Sequence, residues 1–176
     1  RILITGAQGQ LGTALQQTLK QDTLILKDLP EFDLADPSCE HQIVAARPDI
    51  VLHAGAYTNV DRAEQEPEQV RAVNVEGTAA VARAAQKVRA RLICLSTDYV
   101  FDGKKAVPYV EDDLPNPLNV YGRSKWEGEA AARTYCENSL IVRTAWLFGH
   151  GGPNFVKTIM RLAGEKPVLE VVADQR

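Results

Sequence analysis

The stretch NVYGRSKWEGE, residues 119–129, places a tyrosine and a lysine four apart, Tyr121 and Lys125, within a segment whose apolar residues recur at helical spacing. Positions i and i+4 share one face of a helix, so both side chains can enter one cleft. A phenol with an ordinary pKa of about 10 is a reluctant acid near neutrality. A neighbouring ammonium favours the phenolate, brings the proton towards the working range for a developing alkoxide, and can also hold a ribose. Alone, the pattern fits an exposed helix face as well. It is preceded, however, by a strand-like run, RLICLST, that ends in Ser96, Thr97 and Asp98. There the Thr97 hydroxyl can hydrogen-bond a substrate carbonyl and assist the tyrosine.

A second constellation opens the chain. RILIT runs directly into TGAQGQLG, with Gly6, Gly9 and Gly12 spaced G-x-x-G-x-x-G ahead of a helical pattern. Glycines here permit a tight turn, a close approach of backbone N–H groups to a pyrophosphate, and packing of helix on strand; the helix N-terminus adds partial positive charge. The spacing is one residue wider than G-x-G-x-x-G and is similar to that of short-chain dehydrogenases/reductases. Asp28, about 20 residues beyond the loop, stands where a carboxylate accepts a ribose 2′-OH. It also fits a strand-end turn, and adjacent Lys27 leaves NADH and NADPH both open. Asp33 and Leu34, in EFDLADP, fall where an adenine could rest. Glycine loop, strand-end hydroxyl and Tyr-x-x-x-Lys follow one another in the order of a hydride-transfer site.

The elements that must position these residues alternate along the chain. RILIT, TLILKD, DIVLHAGA, RLICLST, SLIVRTAW and PVLEVV read as strands, apolar enough to be buried on both faces. Between them, residues 10–21, 36–47, 67–88, 120–136 and 154–165 carry helical spacing, with Asp36-Pro37 as a helix start and Pro48 as a stop. This alternation implies an α/β fold, a doubly wound parallel sheet whose ligands bind beyond the carboxyl ends of its strands. The irregular stretch 98–119 contains three prolines and the acidic group Glu111, Asp112 and Asp113, read as a solvated loop face; loops of this length are usually functional.

Composition narrows the function classes. With 45% hydrophobic and 24% charged residues, 176 residues supply the core of one domain. A net charge of −3 with interspersed signs lacks the basic stripe of a nucleic-acid binder. Neither a membrane-spanning segment nor a leader pattern is present in the 176 residues, and the three dispersed cysteines read as free thiols in a reducing compartment, the cytoplasm. His41, His53 and His150 are scattered without metal-ligand spacing, and His53 reads as a core histidine. Arg1 starts inside a strand and VVADQR ends the chain just after a strand-like run, so the sequence reads as a piece of a longer protein.

TGAQGQLG, ARPDIVLHAGAYTNVDRAE, NVEGT, STDYVFDG, NPLNVYGRSKWEGE and RTAWLFG, in this order over nearly the whole chain, resemble the extended short-chain dehydrogenases/reductases, and among them the dTDP-4-dehydrorhamnose reductase family. The resemblance implies a Rossmann-like NAD(P)-binding domain over residues 1–176 that ends at the edge of a smaller substrate domain. It implies reduction of the 4-keto group of dTDP-4-dehydro-6-deoxy-L-mannose to dTDP-L-rhamnose with NADH or NADPH. Carried over by position, Tyr121 is the proton donor, Lys125 its pKa partner and ribose ligand, and Thr97 and Asp98 sugar contacts. Gly9, Gln10 and Leu11 surround the pyrophosphate, Asp28 meets the ribose, and Asp33 and Leu34 meet the adenine. Ala56, Tyr57 and Thr58 line the central part of the cofactor. Trp146 packs on the substrate or, alternatively, is a core tryptophan. The expected partners are the nucleotide sugar and, for assembly, a second copy of the chain; Mg²⁺ follows from the resemblance alone, without a site in the residues. Two further readings share the fold. Dehydratases of the group carry Thr-Asp-Glu where this chain has Thr97-Asp98-Tyr99, and epimerases carry small residues there. A non-catalytic NADP-binding subunit, similar to the regulator of methionine adenosyltransferase, matches less well after the third strand.

Overall fold

The computed structural model describes residues 1–171. Five strands, β1 (Ile2–Thr5), β2 (Leu24–Lys27), β3 (Ile50–His53), β4 (Arg91–Thr97) and β5 (Ser139–Thr144), form one parallel sheet in the order β2-β1-β3-β4-β5. The register brings Leu3, Val51 and Leu92 into one row and Ile4, Leu52 and Ile93 into the next. Successive strand residues point to opposite faces, so the first row enters one core and the second another. This two-sided burial explains why the strand runs are apolar throughout rather than alternating.

The helices divide between the faces accordingly. Leu15 of α1 (Gln10–Thr18) packs on the Ile4 side. On the Leu3 side, α2 (Ser38–Ala46) brings Cys39 and Ile43, and α5 (Thr78–Val88) brings Ala80, Val81, Ala82, Ala84 and Ala85. The small side chains let α5 sit centrally, with α2 and α6 (Val120–Tyr135) packed on either side of it. Two more helices, α3 (Val60–Ala63) and α4 (Pro67–Arg71), precede α5, and α7 (Phe155–Glu165) closes the described chain. No helix among the described residues is long and apolar enough to cross a membrane.

The structure departs from the sequence reading in three places. Residues 67–88 are not one helix: a π-helical turn, Ala72–Gly77, separates α4 from α5. Helical periodicity is insensitive to one inserted residue per turn, so the pattern looked continuous. PVLEVV forms no strand over residues 167–171, and Val168 and Val171 are exposed. A strand exists only through its ladder, and these residues have no ladder partner in the described chain. Val172, and with it the end of VVADQR, lies outside the described residues. Third, Asp113 is not merely a solvated carboxylate, because it accepts from Lys105 Nζ and the Val110 N–H. The loop after β4 is further held by Asp102, which takes the Lys104 N–H, the Tyr109 hydroxyl and the Asn116 amide. Phe101 stacks on Tyr109, and the Arg143 guanidinium covers the Phe101 ring.

Glu129 on α6 is 1% exposed, and its carboxylate is fully engaged. It accepts from Ser96 Oγ at 2.6 Å and from Arg143 Nε and Nη2 at 2.8 and 2.6 Å. These bonds fasten α6 to the ends of β4 and β5. Removing one partner of a buried pair strands the other charge, so Glu129→Ala is expected to lower unfolding free energy by about 3–5 kcal/mol. Urea unfolding of the intact protein checks this; a loss below about 1 kcal/mol would show the pair to be solvated.

Candidate active site

The site begins where β1 ends. Gly6 takes φ +66°, and a Cβ there would lie 2.7 Å from the Gly55 backbone. A Cβ at Gly12 would collide with the Gly6 carbonyl oxygen, so only glycine lets α1 start this close to the loop. The Gly9 N–H bonds back to the Gly6 carbonyl, which closes the turn and presents the first turn of α1 outward. Asp28, at the end of β2, accepts from the Gln8 N–H at 2.7 Å and the Leu29 N–H at 2.8 Å. It is therefore a turn residue that also braces the glycine loop.

These residues line a cavity of about 750 Å³ beyond the carboxyl ends of β1, β2 and β3. Gly6, Gly9, Gln10, Leu11 and Gly12 form one wall; Asp28, Asp33 and Leu34 a second; Ala56, Tyr57 and Thr58 a third. Its volume is in the range of small-molecule and cofactor sites. It also sits at the switch point of the sheet, between β1 and β3, whose onward connections to β2 and β4 leave in opposite directions. A loop floored by glycine and backed by a helix N-terminus suits a pyrophosphate, so the residues present fit a dinucleotide. Residues 1–171 contain no group of three or more His, Cys, Asp or Glu side chains placed to hold a metal ion.

Tyr121, Lys125 and Thr97 lie outside that wall; Tyr121 adjoins it through Tyr57, which lines the cavity and packs against the apolar cluster containing Tyr121. Asn119 caps α6 by accepting from the Gly122 N–H, which sets the first turn and buries Tyr121, Ser124 and Lys125 together. Burial pushes the Tyr121 phenol above its ordinary value; the Thr97 hydroxyl offsets part of this, and Asp98 and Tyr99 add to it. In the protein alone the net direction is therefore upward, with burial its largest cause. Lys125, 7% exposed, donates from Nζ to the Leu95 carbonyl at 2.8 Å. Burial depresses its pKa, and Cys94 and Glu129 work in the other direction. Thr97 donates to Asp98 and accepts from the Tyr99 N–H, so it is both strand end and helical cap. The Tyr99 ring meets Tyr121 edge-on at 5.7 Å.

Trp146 follows β5 at φ +54° and is 60% exposed, with Phe155 against its edge at 5.1 Å. The core alternative for this residue is overturned, because β5 ends before it and it stays largely exposed beside Phe155. A bulky residue in the left-handed region carries backbone strain of the kind that accumulates at functional sites. His53, by contrast, is the core histidine anticipated. It is 1% exposed, with Nδ1 2.7 Å from Thr5 Oγ1 and Nε2 3.0 Å from Thr78 Oγ1. Thr78 spends its proton on the Asn74 carbonyl, so it must accept from Nε2–H, and Nδ1 in turn accepts from Thr5. Thr5 Oγ1 also accepts from the Gly55 N–H. Asn74 and Ser124, which the sequence reading did not single out, extend this chain towards α6. The Asn between Val73 and Val75 in NVEGT, a polar residue flanked by apolar ones, could have signalled it.

The chain is similar to known proteins along its whole length. The family model described as the RmlD substrate binding domain matches residues 1–176. A dTDP-4-dehydrorhamnose reductase of Sinorhizobium fredii is 48% identical over 177 residues, covering 99% of this chain and 60% of the relative. One from Aggregatibacter actinomycetemcomitans is 44% identical over 179 residues, covering 99% and 61%. The crystal structure of dTDP-4-dehydrorhamnose reductase from Bacillus anthracis in complex with NADP superposes with a TM-score of 0.90 at 43% identity, over 94% of this chain and 60% of that one. The chain thus spans about three fifths of the length of the curated relatives it matches.

Burial holds His53 neutral, with a pKa lowered to about 3. An unfolded histidine titrates near pH 6.5, so below that the unfolded state binds a proton the folded state refuses. The stability from neutral His53 is complete above about pH 6.5 and declines by about 1.4 kcal/mol per pH unit as pH falls towards 3. Urea unfolding between pH 7 and 4.5 should show a steeper acid slope in the intact protein than in His53→Gln; equal slopes would mean that His53 protonates while folded.

Proposed function

The chain belongs to the RmlD substrate binding domain family, and from that premise we propose that it is the cofactor-binding part of an NAD(P)H-dependent dTDP-4-dehydrorhamnose reductase. The reading rests on one observation: the buried face of α6 that carries Tyr121 and Lys125 abuts, through Tyr57, the wall of a cavity that fits a dinucleotide. Reduced nicotinamide bound there would supply the hydride, the one reagent the side chains lack. The N–H groups of Gln10 and Leu11 would hold the pyrophosphate above the turn that Gly9 closes, Asp28 would meet the ribose, and Asp33 and Leu34 would flank the adenine. Ala56, Tyr57 and Thr58 line the central portion, which leaves the Lys125 hydrogens not given to Leu95 for the nicotinamide ribose.

On the substrate side, Thr97 and Asp98 hold the sugar and orient its C4 carbonyl, and Trp146 covers it. The Tyr121 hydroxyl gives its proton to the C4 oxygen as hydride reaches C4, and ketone becomes secondary alcohol. A phenol kept protonated by burial is in the right state to act as an acid. Tyr99, where a dehydration would call for a carboxylate, supports simple reduction. The relatives' additional length accommodates a smaller C-terminal domain that completes the substrate site. The three free, buried cysteines support a cytoplasmic setting; the homodimer expected from the sequence is open to sedimentation of the intact protein.

Turnover of dTDP-4-dehydrorhamnose by the intact protein, assayed separately with NADH and NADPH, tests the proposal. Tyr121→Phe is expected to lower kcat by about 10²–10⁴-fold. Retention of most of the rate would remove Tyr121 from its role. Tight NADPH binding without turnover in the unaltered protein would favour a regulatory subunit instead.

A further inference from the structure

Lys27 and Asp28 stand side by side at the end of β2 with opposite charges, and the fold separates them. Successive strand residues point to opposite faces, so Lys27 follows Ile25 to the face that α2 covers. There its Nζ donates to Gln42 Oε1 of α2 at 3.0 Å and lies 5.6 Å from the centre of the Phe32 ring. Asp28 instead faces the glycine loop, with one carboxylate oxygen taking the Gln8 N–H and the other the Leu29 N–H. A carboxylate held by both oxygens cannot swing away from an arriving anion without releasing the bonds that brace the loop.

The chain then doubles back. The Phe32 N–H donates to the Asp28 carbonyl at 3.0 Å, and this turn brings the exposed Glu31 round towards Asp28. Both acids line a second cavity of about 540 Å³, which shares Gln8, Asp28 and Phe32 with the cofactor cavity. A ribose held at Asp28 presents its 2′ position at this junction. Among the described residues that line the two cavities there is no arginine or histidine, and Lys27 is the one lysine; the acids are Asp28, Glu31 and Asp33.

A 2′-hydroxyl and a 2′-phosphate meet this junction differently. The hydroxyl has a hydrogen to give, and a carboxylate that already accepts two bonds keeps lone pairs for a third. The phosphate has no hydrogen to offer and carries about two negative charges near neutrality. Dinucleotide sites that take it place an arginine there. Here it would meet carboxylates, while the nearest ammonium is engaged on the α2 face of the sheet.

We propose that the turn after β2 selects NADH over NADPH, with Glu31 as a specificity-determining residue beside the ribose-binding Asp28. The inference rests on the reading of the larger cavity as a dinucleotide site and deepens it by naming the cofactor. The discrimination is electrostatic, since the junction is open to solvent, and NADPH is admitted at higher concentration.

The test is fluorescence titration of the intact protein with NADH and with NADPH, at low salt and in about 0.5 M KCl. NADH should bind about tenfold more tightly at low salt. Salt screens repulsion as it screens attraction, so the ratio of the NADPH to the NADH dissociation constant should fall towards one in KCl; an ammonium holding the phosphate would make it rise. Glu31→Gln should lower the low-salt ratio about threefold, and Lys27→Met should leave it within about twofold. Equal affinities or tighter NADPH, a ratio that rises with salt, no response to Glu31→Gln, or a selective loss of NADPH binding in Lys27→Met would each overturn the inference. If neither nucleotide binds, the cavity is not a dinucleotide site and the inference falls with it. If both bind in the expected order and no keto sugar is reduced, the functional reading fails while the selectivity stands, because it is read from binding alone.

Discussion

A carboxylate withdrawn from water must find its solvation in the protein, and Glu129 finds it in Ser96 and Arg143. That requirement fixes α6 against the carboxyl ends of β4 and β5, and α6 carries Tyr121 and Lys125. The same charge bears on Lys125, one helical turn earlier. An ammonium buried this deeply tends to lose its proton, and Glu129 opposes the loss. One buried anion therefore sets where the helix lies and favours the charged state of its lysine.

The opposite flank of α6 is held by neutral groups. Asn74, Ser124, Thr78, His53 and Thr5 form a chain in which every proton has one direction, ending at the strand that enters the glycine loop. Directed chains of this kind lose much when one member is missing, because the survivors are left buried and unpaired. Between the charged flank and the neutral one, the first turn of α6 has little room to move. Tyr121 is enclosed there as a phenol whose proton burial retains. Its acidity in a reaction would depend on what else is bound beside it, which makes proton transfer contingent on an assembled site.

Much of this could be read from residue order. Gly6 and Gly12 announced themselves because a left-handed turn and a close helix start exclude any side chain. Tyr121 and Lys125 did so through helical spacing, and His53 through its place in an apolar strand. What escaped were partnerships between polar residues far apart in sequence. Glu129 looks like any solvent-facing glutamate in WEGEAAAR, since nothing local states that Arg143 will close over it. Asn74 sits where helical periodicity is carried by its neighbours, and the π-turn that rotates it inward leaves no mark in the pattern. The sixth strand was misjudged because strand propensity in PVLEVV says nothing about whether a ladder partner exists.

The central claim is that the cavity beyond β1, β2 and β3 delivers hydride to the carbonyl that Tyr121 protonates. Following deuterium from NADPH carrying deuterium at both hydrogens of nicotinamide C4 through a single turnover of the intact protein with dTDP-4-dehydrorhamnose tests it most directly. The account predicts one deuterium at C4 of the product sugar. A product without deuterium, or with it at any other sugar carbon, would contradict it.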